Sequence, residues 1–146
     1  MKYAQGDIGR VFIVNFEHGD DFLAELKSFV EKERISFATI TFLGAVSDGD
    51  IVTGPKKMTL PADPNMVSLT DVRETVGFGT IVNGKDGPEI HVHASFGKSG
   101  EVLTGCLRKN CKIFITIEAL IAEVSNISVV RELDKKIGHK TLNFSN

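Results

Sequence analysis

The chain has 146 residues, of which 42% are hydrophobic and 25% charged, the balance of one ordinary globular domain rather than of a disordered segment. Seventeen Lys and Arg against nineteen Asp and Glu leave a net charge of −2, which argues against a surface built to neutralise nucleic-acid phosphates. No apolar run nears the ~20 residues of a membrane-spanning helix, and Met1 to Asp7 carry no apolar stretch of secretory type, so a cytoplasmic location without a membrane partner is expected.

Arg10 to Glu17 is rich in β-branched and aromatic residues and predicts a strand. Gly19-Asp20-Asp21 supplies a helix start, with acidic side chains suited to the positive end of the helix dipole. Phe22, Leu23, Leu26, Phe29 and Val30 then fall on one face of a helix that should end near Arg34. Ile35 to Val46 returns to strand character, with Gly44 marking a bend or a close backbone approach. Asp48-Gly49 fits a tight turn into a shorter strand around Ile51 to Thr53. Gly54 to Asn65 holds Pro55, Pro61 and Pro64, which predicts loop and sheet edge.

Val72 to Val82 reads as a strand interrupted by Gly77 and Gly79, and Asn83 to Pro88 as a turn. Glu89 to Phe96 is the next strand, Gly97 to Gly100 a turn, and Val102 to Leu107 a short strand. Lys112 to Val124 is long and mostly apolar, which implies burial on both faces or a contact between subunits. A segment around Ser128 to Leu133 and a polar tail close the chain. One helix among many strands joined by short turns implies an α+β fold, a mainly antiparallel sheet with one flanking helix, as a single domain over residues 1–146.

The chemistry concentrates in Ile90-His91-Val92-His93-Ala94. Side chains alternate along a strand, so His91 and His93 share one face, ~6–7 Å apart, and two such imidazoles can converge on one metal ion. A third ligand must come from a neighbouring strand. The turn from Gly97 to Gly100 returns the chain antiparallel and brings Cys106 back beside the two histidines. One thiolate with two imidazoles is a zinc ligand set that leaves a fourth position for water or substrate. Without a secretion signal a disulfide between Cys106 and Cys111 is not expected, and Cys111 reads as a turn residue outside the ligand set. His18 and His139 read as surface residues without a partner. No nucleophile elbow, Walker-type phosphate loop or dinucleotide fingerprint occurs, and Gly77-Phe78-Gly79 lacks the third glycine and following helix of the last.

Several elements together resemble the plants-and-prokaryotes conserved (PPC) domain in its free-standing prokaryotic form, over roughly Arg10 to Gly138. They are the early strand followed by His18-Gly19-Asp20-Asp21 and the helix, Leu43-Gly44-Ala45-Val46, Glu74 to Ile81 with Gly79-Thr80-Ile81, Pro88 to Ser95, Thr104 to Leu107, Glu118-Ala119 and Arg131 to Asp134. The resemblance implies an antiparallel, partly barrel-like sheet with a flanking helix, and a homotrimer. It also implies a three-ligand metal set in which Cys106 stands where the family commonly has histidine, a replacement zinc accepts. The fold so implied is similar to that of acetolactate decarboxylase, which binds zinc through a comparable arrangement.

Three functional readings follow. In one, the protein is a zinc-containing homotrimeric assembly or regulatory module that contacts itself and other proteins. Any DNA association is then indirect, because the Arg-Gly-Arg-Pro hook of the plant relatives is absent. In a second it is a zinc-dependent lyase or hydrolase acting on a small carboxylic acid, with Glu89, Glu118 or Glu74 as acid or base and Arg73 or Arg108 on the carboxylate. Direct DNA contact through Arg108, Lys109 and Lys112 is a third reading with little support from the charge balance.

Overall fold

Alternation of apolar and polar residues with a period of two dominates the chain, and among the described residues the structure has ten strands and one helix. The computed structural model describes residues 1–144. Strand β1 spans Asp7–Glu17, helix α1 Phe22–Glu33, β2 Phe37–Val46, β3 Gly49–Pro55 and β4 Pro64–Leu69. Then follow β5 at Arg73–Gly84, β6 at Gly87–Lys98, β7 at Glu101–Lys109, β8 at Ile113–Ser125, β9 at Val129–Asp134 and β10 at His139–Phe144. Among the described residues no helix is long and apolar enough to cross a membrane.

Eight strands form one antiparallel sheet in the order β1-β8-β2-β5-β6-β7-β3-β4. The sheet is open, with β1 and β4 as its edges, and does not close into a barrel. The proline-rich stretch leads into edge strand β4, where missing N–H groups cost no ladder bond. The expected polar tail is instead half of a second sheet: β10 pairs with β9 from His139–Asp134 to Phe144–Val129.

Helix α1 starts at Asp21, whose side chain accepts from the Ala24 N–H at 2.9 Å, and ends at Arg34 in the left-handed region. Its buried face of Phe22, Leu26 and Val30 packs on one side of the sheet, against a core that includes Ile40, Ile81, Val92 and Ile121. Gly44 sits where β2 and β8 shift register, and a side chain there would run into the Thr116 carbonyl, the close approach its position suggested. The long strand β8 lies between β1 and β2, with Ile117, Ala119 and Ile121 in the core and Leu120 exposed on the opposite face. That opposite face has no helix, and it carries the candidate site.

Candidate metal centre

Strand alternation in β6 places Val92 and Ala94 in the core and His91 and His93 on the open face. The turn after Lys98 returns β7 so that Cys106 stands directly opposite His93, and cross-strand partners share a face. On its other side Cys106 pairs with Val52 of β3, which helps bury the thiol. A side chain at Gly105 would come within 2.6 Å of the Val52 carbonyl, so the strand next to the thiol can approach β3 only with glycine there.

The two imidazoles converge: their Nε2 atoms are 3.1 Å apart, with the rings edge to face at 77°. Two nitrogens bound at zinc distances with tetrahedral angles would be about 3.3 Å apart. The Cys106 sulfur completes a set of three donor atoms that all lie within 4.8 Å of one another. The donor chemistry therefore fits a zinc ion, and the geometry brings together the three residues the sequence singled out.

Protonation states suit the same use. Burial, followed by the positive charges of Arg131, His93, Arg108 and His139, holds the His91 pKa below its usual value, which favours the neutral imidazole a metal needs. Burial pushes the Cys106 thiol up, while Arg108 and Arg131 pull it partly back. A metal would have to displace that proton.

The three donors line a cavity of about 630 Å3 on the open face, a size suited to a small molecule. Ile90 and Glu89 of β6, Arg108 of β7, Val52, Gly54 and Pro55 of β3 and Pro64 of β4 contribute to its wall. The β9–β10 hairpin covers the remaining side with Arg131, Leu133, His139 and Lys140. The hairpin turn meets the loop before β4, where a side chain at Gly138 would come within 2.6 Å of the Pro61 ring.

Of the residues considered for acid, base or anion binding, Glu89 and Arg108 reach the cavity, and Glu89 is paired with Lys140 at 2.9 Å. Glu74, Glu118 and Arg73 do not line it; Arg73 is instead held by Asp71 at 2.7 Å, near the other end of β5. Two sequence readings need correction. His139 is exposed as expected but faces the cavity, and His18 has a partner, since its Nδ1 accepts from the Ile115 N–H at 3.1 Å. Cys111 does lie in the turn before β8, buried in the core, and both cysteines are free. Arg131 escaped the sequence reading as a site residue, because only the return of the hairpin brings it to the cavity.

The profile of the Plants and Prokaryotes Conserved (PCC) domain matches residues 3–125. A metal-containing protein from Archaeoglobus fulgidus is similar in structure, with a TM-score of 0.88 at 24% identity, covering 98% of this chain and 99% of that one. A plant- and prokaryote-conserved protein from Pyrococcus horikoshii gives a TM-score of 0.86 at 22% identity, with 100% and 99% covered. A candidate DNA-binding protein from Bacteroides thetaiotaomicron gives 0.80 at 17%, with 95% and 97% covered. No curated protein matches the chain. At these identities the structural likenesses speak for the fold, and the profile match over most of the sequence decides the family: this chain belongs to the Plants and Prokaryotes Conserved domain family.

Proposed function

We propose that this protein is a zinc-binding subunit of a homotrimeric assembly module, with the ion held by His91, His93 and Cys106 and one coordination position facing the cavity. The observation that carries the metal is the convergence of three donor atoms within 4.8 Å on adjacent strands. The metal-containing relative from Archaeoglobus fulgidus supports the same reading. When bound, zinc supplies a Lewis acid and lowers the pKa of a bound water. The protein's own groups orient the ion: β6 fixes both imidazoles on one face, and the His93–Cys106 pairing fixes the thiol.

The assembly part rests on the open face, where Ile13, Leu43, Phe78, Ile115 and Leu120 are large, apolar and exposed. The number three comes from the family resemblance. Direct DNA binding is not part of this reading: the net charge is −2, and Arg108, the first of the basic residues around the β7–β8 turn, faces the cavity.

A second reading, a zinc-dependent lyase or hydrolase, is favoured by one observation. The three donors open onto a cavity that also holds Glu89 and His139, groups able to carry protons.

Elemental mass spectrometry of the purified protein tests the metal, with about one zinc per chain expected. Analytical ultracentrifugation tests the assembly, with three chain masses expected. A zinc-free protein after zinc is offered and the excess removed would overturn the metal reading, and a monomer would overturn the assembly.

A further inference from the structure

Arg131 is the cavity residue whose chemistry the metal reading leaves unused. It enters from β9, in the hairpin that lies outside the main sheet and beyond the residues matched to the family. One nitrogen of its guanidinium, Nη2, donates to Thr80 Oγ1 at 2.6 Å. Thr80 is the direct cross-strand partner of His91, so the guanidinium lies on the same face as the metal ligands and beside one of them. Its Nε is fully buried with no hydrogen-bond partner, and no carboxylate among the described residues is within ion-pair distance of it. A half-buried cation without an ion-pair partner is costly, with Glu89 the carboxylate whose charge it feels at longer range. The buried Nε does not face the cavity, so a ligand there would meet the two terminal nitrogens, Nη1 and Nη2.

The surroundings add positive charge rather than cancelling it. Arg108 lines the same cavity, also without an ion pair among the described residues, and the one acidic lining residue, Glu89, is engaged by Lys140. A zinc ion with one thiolate and two neutral imidazoles would contribute one further net positive charge. The cavity lining therefore carries an excess of positive charge. Its remaining wall is apolar, with Val52, Pro55, Ala62, Pro64, Ile90 and Leu133 facing the space. Inorganic phosphate would leave that wall in contact with a solvated ion, whereas an organic acid would cover it.

The geometry points to Arg131 as the specificity-determining residue for a small organic acid with a short apolar body, its carboxylate on the guanidinium fork and its remaining oxygen toward the metal. This rests on the zinc reading for the second contact, but the arginine contact stands by itself. Guanidinium and carboxylate match as paired donors and acceptors, a geometry that lysine cannot reproduce.

The test is isothermal titration calorimetry on the full chain with zinc counted in every sample. The probes are 2-oxoisovalerate, the neutral ketone 3-methyl-2-butanone with the same branched body, and inorganic phosphate. The keto acid is expected to bind at least tenfold more tightly than either of the others. Arg131→Gln should weaken the acid ten- to hundredfold while leaving the zinc content and the ketone unchanged, and Arg131→Lys should fall between. Equal binding of acid and ketone, tighter binding of phosphate, no binding of the acid, or an unaffected Arg131→Gln would each overturn the proposal. Should Arg131→Gln fail to fold, the acid-to-ketone ratio in the unaltered chain and in Arg131→Lys decides. A protein without zinc that still discriminates acid from ketone through Arg131 would sink the metal reading alone, and a zinc-loaded protein without that discrimination would sink this one alone.

Discussion

The two faces of the sheet differ by a single step along each strand. On the helix side, a cross-strand row runs Val14, Ala119, Phe42, Gly77, Ala94 and Gly105. One residue away, the open side runs Ile13, Leu120, Thr41, Phe78, His93, Cys106, Val52 and Met66, one from each of the eight strands. Phe42 is 7% exposed in the first row and Phe78 is 55% exposed in the second. The helix side satisfies its apolar surface within the chain. The open side leaves its apolar surface uncovered at one end and gathers the three candidate donors at the other, so the core and the candidate site lie on faces that a one-residue register slip would exchange.

The largest expected effect is on the covered face. Leu26→Ala, at a fully buried helix position, should cost about 2–5 kcal/mol in denaturant unfolding, the range for a cavity left in a packed core. On the open face, Leu120→Glu should leave the fold intact and turn the proposed trimer into single chains, read by ultracentrifugation with circular dichroism as the check. If Leu120→Glu unfolds the chain as well, the contrast between the faces fails.

A smaller effect sharpens the comparison at the helix itself. Asp21→Ala removes the side-chain acceptor for the Ala24 N–H and should lower stability by about 1 kcal/mol, without altering metal content. If zinc content changes with it, the helix side and the site are coupled.

The two cysteines give the finest distinction, one in the core and one in the site. Burial pushes the Cys111 thiol up to about 12, with Asp21 adding to the rise. In the unfolded chain the same thiol ionises near pH 8.5. A raised acid pKa means that the folded state holds its proton longer, so stability contributed by the neutral thiol is present below about pH 8.5 and is lost as pH rises toward the folded value. The melting temperature should fall over that alkaline window in wild type and fall less steeply in Cys111→Ala. Parallel curves would show that Cys111 does not carry the effect.

Much of this division was legible in the sequence for local reasons. Alternation in Ile90 to Ala94 places both histidines on one face, and the tight turn at Ser99-Gly100, within the stretch the glycines mark, sets Cys106 opposite His93, so only neighbouring strands had to be right. Arg131 and His139 were not legible as site residues. Their place depends on a hairpin that folds back against β5, and their polar surroundings resemble a solvated tail. The bond between His18 and Ile115 spans 97 residues and has no local signature at all. Whether the sheet closes depends on whether the edges β1 and β4 meet, which no local pattern encodes.

The central claim is that the open face holds a zinc ion on three side chains. Its most direct test is the metal content per chain, by elemental mass spectrometry, of wild type and of Cys106→Ala after both are offered zinc and freed of excess. About one zinc per chain in wild type, falling close to zero in the variant, is the predicted result. No zinc in wild type, or equal zinc in both, would contradict the site as built from His91, His93 and Cys106.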